Sequence, residues 1–272
     1  MRRTPAGRGF SSFLRAFFTT SGFLCDVPKV FAVLATVVVA FAVPAVASAA
    51  TSTSSNWAGY AVSSADPTTP ATYTSVSGSW VVPVANCSAS PAAFSAFWVG
   101  LGGFAETSQG LEQIGTESDC TASGRATYGV WYELVPAASV PVKLKVFPGN
   151  RISANVTVNG QLVIVNLKNL TRKTSFTRRL FMSAPDVSSA EWIAEAPSAC
   201  TSSGQCRTLP LANFGTVSFT SALALAAGHG GTIADAGWAA TSIELQSFTG
   251  AVPSELSADG GSFSVTWAAA NS

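Results

Sequence analysis

The chain of 272 residues carries little charge and has a single histidine. Charged residues make up 11% of it, and the histidine, His229, lies in a glycine-rich stretch. A Ser-His-Asp or Cys-His site would need this residue, and no serine stands in the context of a nucleophile elbow. The paired Asp-Thr/Ser-Gly loops of aspartic peptidases are also absent. Carboxylates and side-chain amides are therefore the groups left for acid–base chemistry.

The N-terminal segment has the three parts of a secretory signal peptide. Basic residues precede an apolar run over 30–43, which ends at Pro44 and is followed by the small residues Ala47-Ser48-Ala49. A membrane anchor is the alternative, but the run is shorter than the roughly 20 residues of a spanning helix. We predict a signal peptide over 1–49 and one mature domain over 50–272, secreted to the exterior or to a periplasm.

Loss of residues 1–49 would change the charge of the chain. Five of the fifteen basic residues and one of the fourteen acidic residues lie there, so the remainder has a net charge near −3. The remainder contains no continuous basic block, which argues against a nucleic-acid partner. We expect a monomer with no cofactor and, once the apolar segment is removed, no membrane partner.

The cysteines are few and are not spaced as metal ligands. No C-x-x-C pair occurs, which together with the single histidine argues against a zinc site. Four cysteines remain after residue 49, and an even number in an exported chain predicts two disulfides. Cys200 and Cys206 are close enough in sequence to close one short loop, which leaves Cys87 to pair with Cys120.

Alternation of apolar and polar residues dominates the chain after residue 49. It has the period of two that is expected of half-buried strands, over 76–82, 151–158, 216–219 and 262–267. Asn159-Gly160, a strong hairpin signal, leads into the short apolar run 162–165. With gaps rich in Ser, Thr, Gly and Pro, the pattern predicts an all-β fold, an antiparallel β-sandwich.

Residues 188–195 fit a helix and a strand equally well. Ser188-Ser189-Ala190-Glu191 has the pattern of a capping box, which favours a helix. In either structure Glu191 and Glu195 lie on the same side, because an offset of four residues preserves the face in both. The local sequence therefore predicts a shared face and leaves the type of element open.

Five short motifs follow one another along about 140 residues. They are N-W-x-G from Asn56, W-V-G from Trp98, Q-x-G from Gln113, W-Y-E from Trp131 and A-E-W-I-x-E from Ala190. In order and spacing they resemble the glutamic peptidases, or eqolisins. The resemblance extends to residues 214–220 and so covers essentially the whole mature chain.

The resemblance implies a fold, an activity and a set of site residues. The fold is a sandwich of two large antiparallel sheets, bent so that a concave face forms the substrate cleft. The activity is endopeptidase hydrolysis of proteins or peptides by a dyad of Gln113 and Glu195. The resemblance implies that Trp131 and Glu133 line the cleft, and Trp57 and Trp98 are further candidates for its wall. The A-E-W-I-x-E motif is implied to be a strand, followed by a loop that the Cys200–Cys206 disulfide closes.

Residue type by itself leaves some of these roles open. Trp57 and Trp98 fit packing in the core as well as a cleft wall, because large aromatic side chains are usually buried. Glu191 is more typical of a structural or exposed position.

The proposed dyad suits the chemistry of amide hydrolysis. That reaction needs an attacking water, a donor for the developing oxyanion and a proton for the leaving nitrogen. The carboxylate of Glu195 can take a proton from water and return it to the amine. Gln113 can hold the water through its carbonyl oxygen and offer its NH₂ group to the oxyanion. The working pH should follow a carboxylate, at about 4 unless its pKa is shifted.

Four positions depart from the pattern of the glutamic peptidases. Gly102 and Gly129 stand where aspartates are common, Val135 replaces a tyrosine and Pro197 replaces an aromatic residue. Side chains around a functional group orient it and set its pKa. Cleavage specificity and pH optimum therefore do not carry over from the family.

Two other functions fit the same residues. In a carbohydrate-binding or glycosidase sandwich the tryptophans would stack on sugars, with a carboxylate pair drawn from Glu112, Glu117, Asp119 and Glu133. However, the E-x-D-x-E pattern of laminarinase-like enzymes is broken, because Thr121 stands in place of the third acid. The other alternative is an inactive peptidase fold used for adhesion, which Gly102 and Gly129 would permit.

Overall fold

The computed structural model describes residues 49–66, 68–88, 91–201, 205–247 and 249–269. They belong to the unit Ala45–Ser272 of the chain. The predicted signal peptide lies, apart from Ala49, outside the described residues and stays a prediction. All regular structure in the described ranges is β-strand. They contain no helix long and apolar enough to cross a membrane.

Eighteen strands make up the regular structure of these ranges. In chain order they are β1 (Ala50–Ser54), β2 (Trp57–Ser64), β3 (Tyr73–Val81), β4 (Ala96–Leu101), β5 (Leu111–Cys120), β6 (Ala126–Val135), β7 (Val140–Val142), β8 (Arg151–Asn159), β9 (Leu162–Asn169), β10 (Thr174–Phe181), β11 (Ser189–Glu195), β12 (Ser198–Cys200), β13 (Cys206–Thr208), β14 (Thr216–Ala226), β15 (His229–Thr232), β16 (Trp238–Leu245), β17 (Gly250–Pro253) and β18 (Phe263–Ala268). Along β8, buried side chains alternate with partly or fully exposed ones at every step, as its sequence predicts.

Sixteen of the strands form one sheet, and β12 pairs with β13 in a separate small sheet. The path of hydrogen-bonded neighbours runs β10-β9-β8-β3-β14-β18-β17-β16-β2-β11-β4-β5-β6-β7, with β1 beside β16 and β15 beside β14. The strands pair antiparallel, except that β1 runs parallel to β16. The two large sheets that were predicted are thus continuous. The link between β16 and β17 is narrow, since only Leu245 and Ala251 pair there.

The two halves of the large sheet pack face to face. Trp192 of β11 donates its indole N–H to the carbonyl oxygen of Ser77 on β3 at 2.7 Å. Trp80 of β3 donates to the hydroxyl of Thr116 on β5 at 2.9 Å. Apolar side chains from both halves fill the space around these indoles and form the main core. The prediction of an antiparallel β-sandwich is confirmed.

A second, smaller apolar cluster lies on the outer face of one half. Its buried members are Ala61, Ala96, Trp98, Leu111, Trp131, Ile193 and Ile243. They come from the strands of the path between β16 and β6. Because alternate side chains of a strand point to opposite faces, this cluster is separated from the main core by the sheet itself.

Two local predictions are confirmed by the pairing. Asn159 pairs with Leu162, so Gly160 and Gln161 alone connect β8 to β9. Gly160 has a φ of +57°, a left-handed conformation that glycine adopts without a Cβ clash. Residues 189–195 form a strand because β2 and β4 bond to it on both sides, which outweighs the capping-box pattern.

Both predicted disulfides are present. Cys87 is bonded to Cys120, and Cys200 is bonded to Cys206 across β12 and β13. Cys120 is the last residue of β5, the strand that carries Gln113. The longer bridge therefore ties the segment before β4 to this strand.

Loss of the Cys87–Cys120 bridge should destabilise the fold more than loss of the other. Its sequence separation is 33, for which chain entropy gives about 3–4 kcal/mol. We expect Cys87→Ala/Cys120→Ala to lower the free energy of unfolding in urea by this amount. The matched variant Cys200→Ala/Cys206→Ala opens a separation of 6 and should lose roughly 1–2 kcal/mol less. Equal losses would contradict the ranking.

Candidate active site

Five adjacent strands place three rows of side chains on the outer face of the sheet. The rows follow from the residue pairing of β2, β11, β4, β5 and β6 and from the alternation along each strand. The first row is Trp57, Glu195, Ala96, Glu117 and Gly129; the second is Gly59, Ile193, Trp98, Gly115 and Trp131; the third is Ala61, Glu191, Gly100, Gln113 and Glu133. We call this surface the acidic face, since four of its residues are glutamates.

Gln113 and Glu133 are bonded neighbours in the third row. Nε2 of Gln113 donates to Oε2 of Glu133 at 2.8 Å. Gln113 is 3% exposed, and its Oε1 is buried without a hydrogen-bond partner. Burial raises the pKa of Glu133, and the hydrogen bond from Gln113 opposes that rise. Gln113 thus keeps a free acceptor and a second N–H for a further molecule.

Glu195 ends β11 and is held by two donors. Nε1 of Trp98 donates to its Oε2 at 2.7 Å, and Nδ2 of Asn56 donates to its Oε1 at 3.1 Å. Burial raises the pKa of Glu195 to about 7; the Trp98 bond lowers this pKa, the charge of Glu133 raises it, and the side chains of Trp57 and Asn56 lower it. Below that pH, Glu195 is a carboxylic acid. The sequence-based value of about 4 assumed an unshifted carboxylate, and burial is what moves it.

Glu195 and Gln113 lie in different rows, with Trp98 between them on β4. The hydrogen bonds of these two described residues include none between them. Pairing alone would favour Glu191 as the partner of Gln113, since the two share a row. However, Glu191 is fully buried, whereas Glu195 is half-buried. Of these two glutamates, Glu195 is therefore the one with surface that a substrate could reach.

The predicted cleft residues differ in their exposure. Trp98 is fully buried, and its ring meets that of Trp57 edge-on with 5.0 Å between centroids. Trp131 is 9% exposed, while Trp57 and Glu133 are half-buried. Trp98 thus packs under the surface and also donates its N–H to Glu195. The sequence-based alternatives, a cleft wall or core packing, did not include this hydrogen bond.

Glu117 fills the space left by Gly129. The two residues pair across β5 and β6, and a Cβ at Gly129 would lie 2.2 Å from Oε1 of Glu117. Burial raises the pKa of Glu117. A carboxyl group is therefore present where position 129 lacks one. From the sequence, Glu117 was a candidate only for the carboxylate pair of a glycosidase. Its offset of four residues from Gln113 nevertheless puts both side chains on one strand face.

Asp186 fills the space beside Gly102 in the same way. A Cβ at Gly102, whose φ is +80°, would lie 2.5 Å from Cβ of Asp186. Desolvation would raise the pKa of Asp186, but hydrogen bonds from Ser108 and Ser188 lower it. No sequence pattern could find this residue, because it reaches the site from a loop far along the chain.

Two further glutamates are buried without a charged partner. Glu112 and Glu191 are both 0% exposed, and three of their four carboxyl oxygens have no hydrogen-bond partner. The fourth, Oε1 of Glu112, accepts the backbone N–H of Asp186 at 3.1 Å. Burial raises the pKa of Glu112 to about 8 and raises that of Glu191 well above its ordinary value. Both are therefore neutral acids in the folded protein at acidic pH.

The histidine lies away from the acidic face. His229 begins β15, and its Nε2 contacts Oδ1 of Asp235 at 2.9 Å, the one ion pair among the described residues. Among all the residues that the structure describes, no group of three or more His, Cys, Asp or Glu is arranged to hold a metal.

Residues 55–267 match the model of the Peptidase A4 family. The chain belongs to this family. The matched range contains all five motifs and both disulfides, and membership makes the chain a glutamic-type endopeptidase. The resemblance stated from the motifs is thereby confirmed.

Solved structures of A4-type peptidases are similar to the chain. Scytalido-glutamic peptidase, with a peptide-based transition-state analogue, is 25% identical with a TM-score of 0.63, covering 78% of this chain and 98% of that one. Aspergilloglutamic peptidase from Aspergillus niger is 25% identical with a TM-score of 0.53, covering 64% and 99%. SCP-B of the eqolisin family, with the tripeptide Ala-Ile-His, shares the fold at 24% identity and a TM-score of 0.59, covering 78% and 98%. No curated protein matches the chain.

The buried state of Glu191 should make stability depend on pH. Its pKa is raised above the ordinary 4.5, so unfolding releases a proton once the pH exceeds about that value. The free energy of unfolding should therefore fall as pH rises from 4.5 towards the folded pKa. We expect Glu191→Gln to remove this loss. The free energy of unfolding of the variant minus that of the unmutated protein should therefore be larger at pH 7 than at pH 4.

Urea unfolding at the two pH values measures this difference. The matched control is Glu106→Gln, which removes a carboxylate from the exposed surface. A relative stability of Glu191→Gln that is unchanged between pH 4 and pH 7 would show that Glu191 is ionised in the fold.

Proposed function

We propose that the protein is a secreted acid endopeptidase in which Gln113 and Glu195 hydrolyse the peptide bond. The observation that carries the proposal is the pair of prepared groups on the acidic face. Gln113 has a buried acceptor without a partner, and Glu195 is fixed by two N–H donors while part of it stays exposed. The solved relatives bind a peptide-based analogue and a tripeptide, which supports a peptide as the substrate. Two disulfides support an oxidising, extracellular compartment.

In this mechanism Glu195 moves the protons and Gln113 positions the reactants. Oε1 of Gln113 accepts a hydrogen bond from the attacking water, and its second N–H holds the carbonyl oxygen. The acid form of Glu195 gives its proton to that oxygen as water attacks the carbon. The resulting carboxylate takes a proton from the water oxygen that is now bonded to the carbon. It delivers this proton to the amide nitrogen as the C–N bond breaks. A proton from the product carboxyl group then restores Glu195.

The raised pKa of Glu195 sets the order of these steps. With a pKa of about 7, the resting side chain is protonated at acidic pH and starts as the acid. Above its pKa of 4.5, a carboxyl group of ordinary acidity would instead start as the base. The dry surroundings of Glu195 thus support the assignment as an acid peptidase.

The carbohydrate alternative has less support. Sugar stacking needs exposed aromatic rings, whereas Trp98 is fully buried and Trp131 is 9% exposed. Glu112 lies on the opposite face of β5 from Glu117, which breaks up the proposed carboxylate set. The alternative of an inactive fold was based on the missing acidic side chains at Gly102 and Gly129. It has less support as well, since Glu117 provides a carboxyl group beside Gly129.

Loss of either dyad residue should abolish most activity. Glu195→Gln keeps the shape but removes the mobile proton, and Gln113→Ala removes the anchor of the water. We expect each to lower kcat by at least about 10³-fold, and the double variant to lose little more, because the residues act as a unit. The measurement is digestion of a denatured protein at acidic pH, with cleavage sites identified by mass spectrometry.

The control for these variants is Glu133→Gln, which keeps a partner for Gln113. It should lose roughly 10- to 100-fold, as is usual for a group that orients another. Circular dichroism checks that each variant folds, which matters for the buried Gln113. Full activity in Glu195→Gln would move the site elsewhere. Sugar binding without hydrolysis in the unmutated protein would favour the carbohydrate alternative.

The pH profile distinguishes an initial acid from an initial base. If Glu195 must be protonated, kcat/KM should fall about tenfold per pH unit above its pKa of about 7. Initial rates measured from pH 3 to 9, with circular dichroism at each pH to exclude unfolding, give the profile. A kcat/KM that instead rises through this range would show that Glu195 acts first as a base.

A further inference from the structure

Basic side chains are concentrated in one region away from the acidic face. Eight of the ten Lys and Arg residues after residue 49 lie over 143–179, and no Asp or Glu occurs over 134–185. They are Lys143, Lys145, Arg151, Lys168, Arg172, Lys173, Arg178 and Arg179. All eight are described and exposed, and none of them forms an ion pair. Their charge is therefore available to a partner.

Four of these residues face a cleft with a volume of about 610 Å³. Lys143 and Lys145 follow β7 on one wall, while Arg172 and Arg178 stand on the other wall, in and beside β10. No acidic residue lines this space. We call it the basic cleft.

The basic cleft and the acidic face lie on opposite sides of β6. Tyr132 lines the cleft, and it stands between Trp131 and Glu133, whose side chains belong to the acidic face. A molecule held in the basic cleft would therefore leave Gln113 and Glu195 open to substrate. The arrangement fits an anchor better than an inhibitor site.

We propose that the basic cleft binds a polyol-phosphate polymer, whose units are joined by phosphodiester bonds, and so holds the peptidase on an anionic matrix. The choice of a strong-acid anion rests on the acid activity proposed above. Phosphodiesters stay ionised at acidic pH, whereas carboxylates lose their charge near their pKa of about 4. A charge within each linkage also suits a cleft with cations on both walls, because the polymer backbone passes between them.

A nucleic acid carries the same phosphodiester charge but lacks a binding surface for its bases. Single-stranded nucleic acids are held by exposed aromatic rings on which the bases stack. Here Tyr132 and Phe176 are half-buried and stack on each other, with 5.8 Å between centroids and 19° between planes. The guanidinium of Arg172 lies 5.2 Å from the centre of the Phe147 ring. The cleft therefore offers charge and hydrogen-bond donors without a free stacking platform.

Binding of synthetic poly(glycerol phosphate) to the full-length folded protein tests the proposal. Fluorescence anisotropy at pH 5 should show binding that weakens steeply as salt increases, because counterions are released. Lys145→Gln/Arg178→Gln should weaken binding roughly 10- to 30-fold at low salt and make the salt dependence shallower. The matched control is Arg125→Gln/Arg207→Gln, which removes the two basic residues outside the region and should bind normally.

The outcomes separate this proposal from the proposed catalysis. Hydrolysis of a small soluble peptide should be equal in the unmutated protein and both double variants, because the substituted residues lie away from the acidic face. Binding is measured without turnover, so it tests the cleft even if the proposed catalysis fails. Equal binding by both double variants would overturn the location of the site. Tighter binding of oligo-dT or of poly-L-glutamate than of poly(glycerol phosphate) would overturn the identity of the partner, and so would the absence of binding.

Discussion

The pairing of β11, β4 and β5 determines which side chains can meet on the acidic face. A shift of one residue in any of these strands would turn its glutamates and tryptophans to the other side. The side chains of these three strands that reach the acidic face lie at alternate positions. Trp98 on the central strand, β4, donates its N–H to Glu195. The position of the carboxyl group of Glu195 therefore depends on neighbouring strands as much as on its own.

Removal of these carboxyl groups from water has consequences for both activity and stability. Lysine and arginine are absent from the three rows, so burial raises pKa values with no cation to oppose it. At acidic pH Glu195 holds the proton that the proposed mechanism donates, and Glu112 and Glu191 are neutral, so that no buried charge destabilises the fold in the same range. One physical cause thus matches the working range of the proposed site to the stable range of the fold.

Separation of charge continues beyond the site. The exposed cations gather over 143–179, while the acids of the site lie on the far side of β6. The sequence contains no continuous basic block, and for that reason a nucleic-acid partner was not expected. The eight cations lie within 37 positions of the sequence, and only the fold shows that four of them face one cleft.

The sequence by itself predicted the all-β class, several of the strands, the disulfides, the family and the two dyad candidates. These follow from alternation, spacing and local motifs, which operate within a few residues or in a fixed order. The tertiary structure decided what the local sequence left open, that 189–195 is the strand the resemblance implied, because its bonds come from β2 and β4. It also decided that Glu191 is buried while Glu195 is accessible, and that Asp186 fills the space at Gly102. Burial and contact between distant segments are properties of packing, which no local pattern encodes.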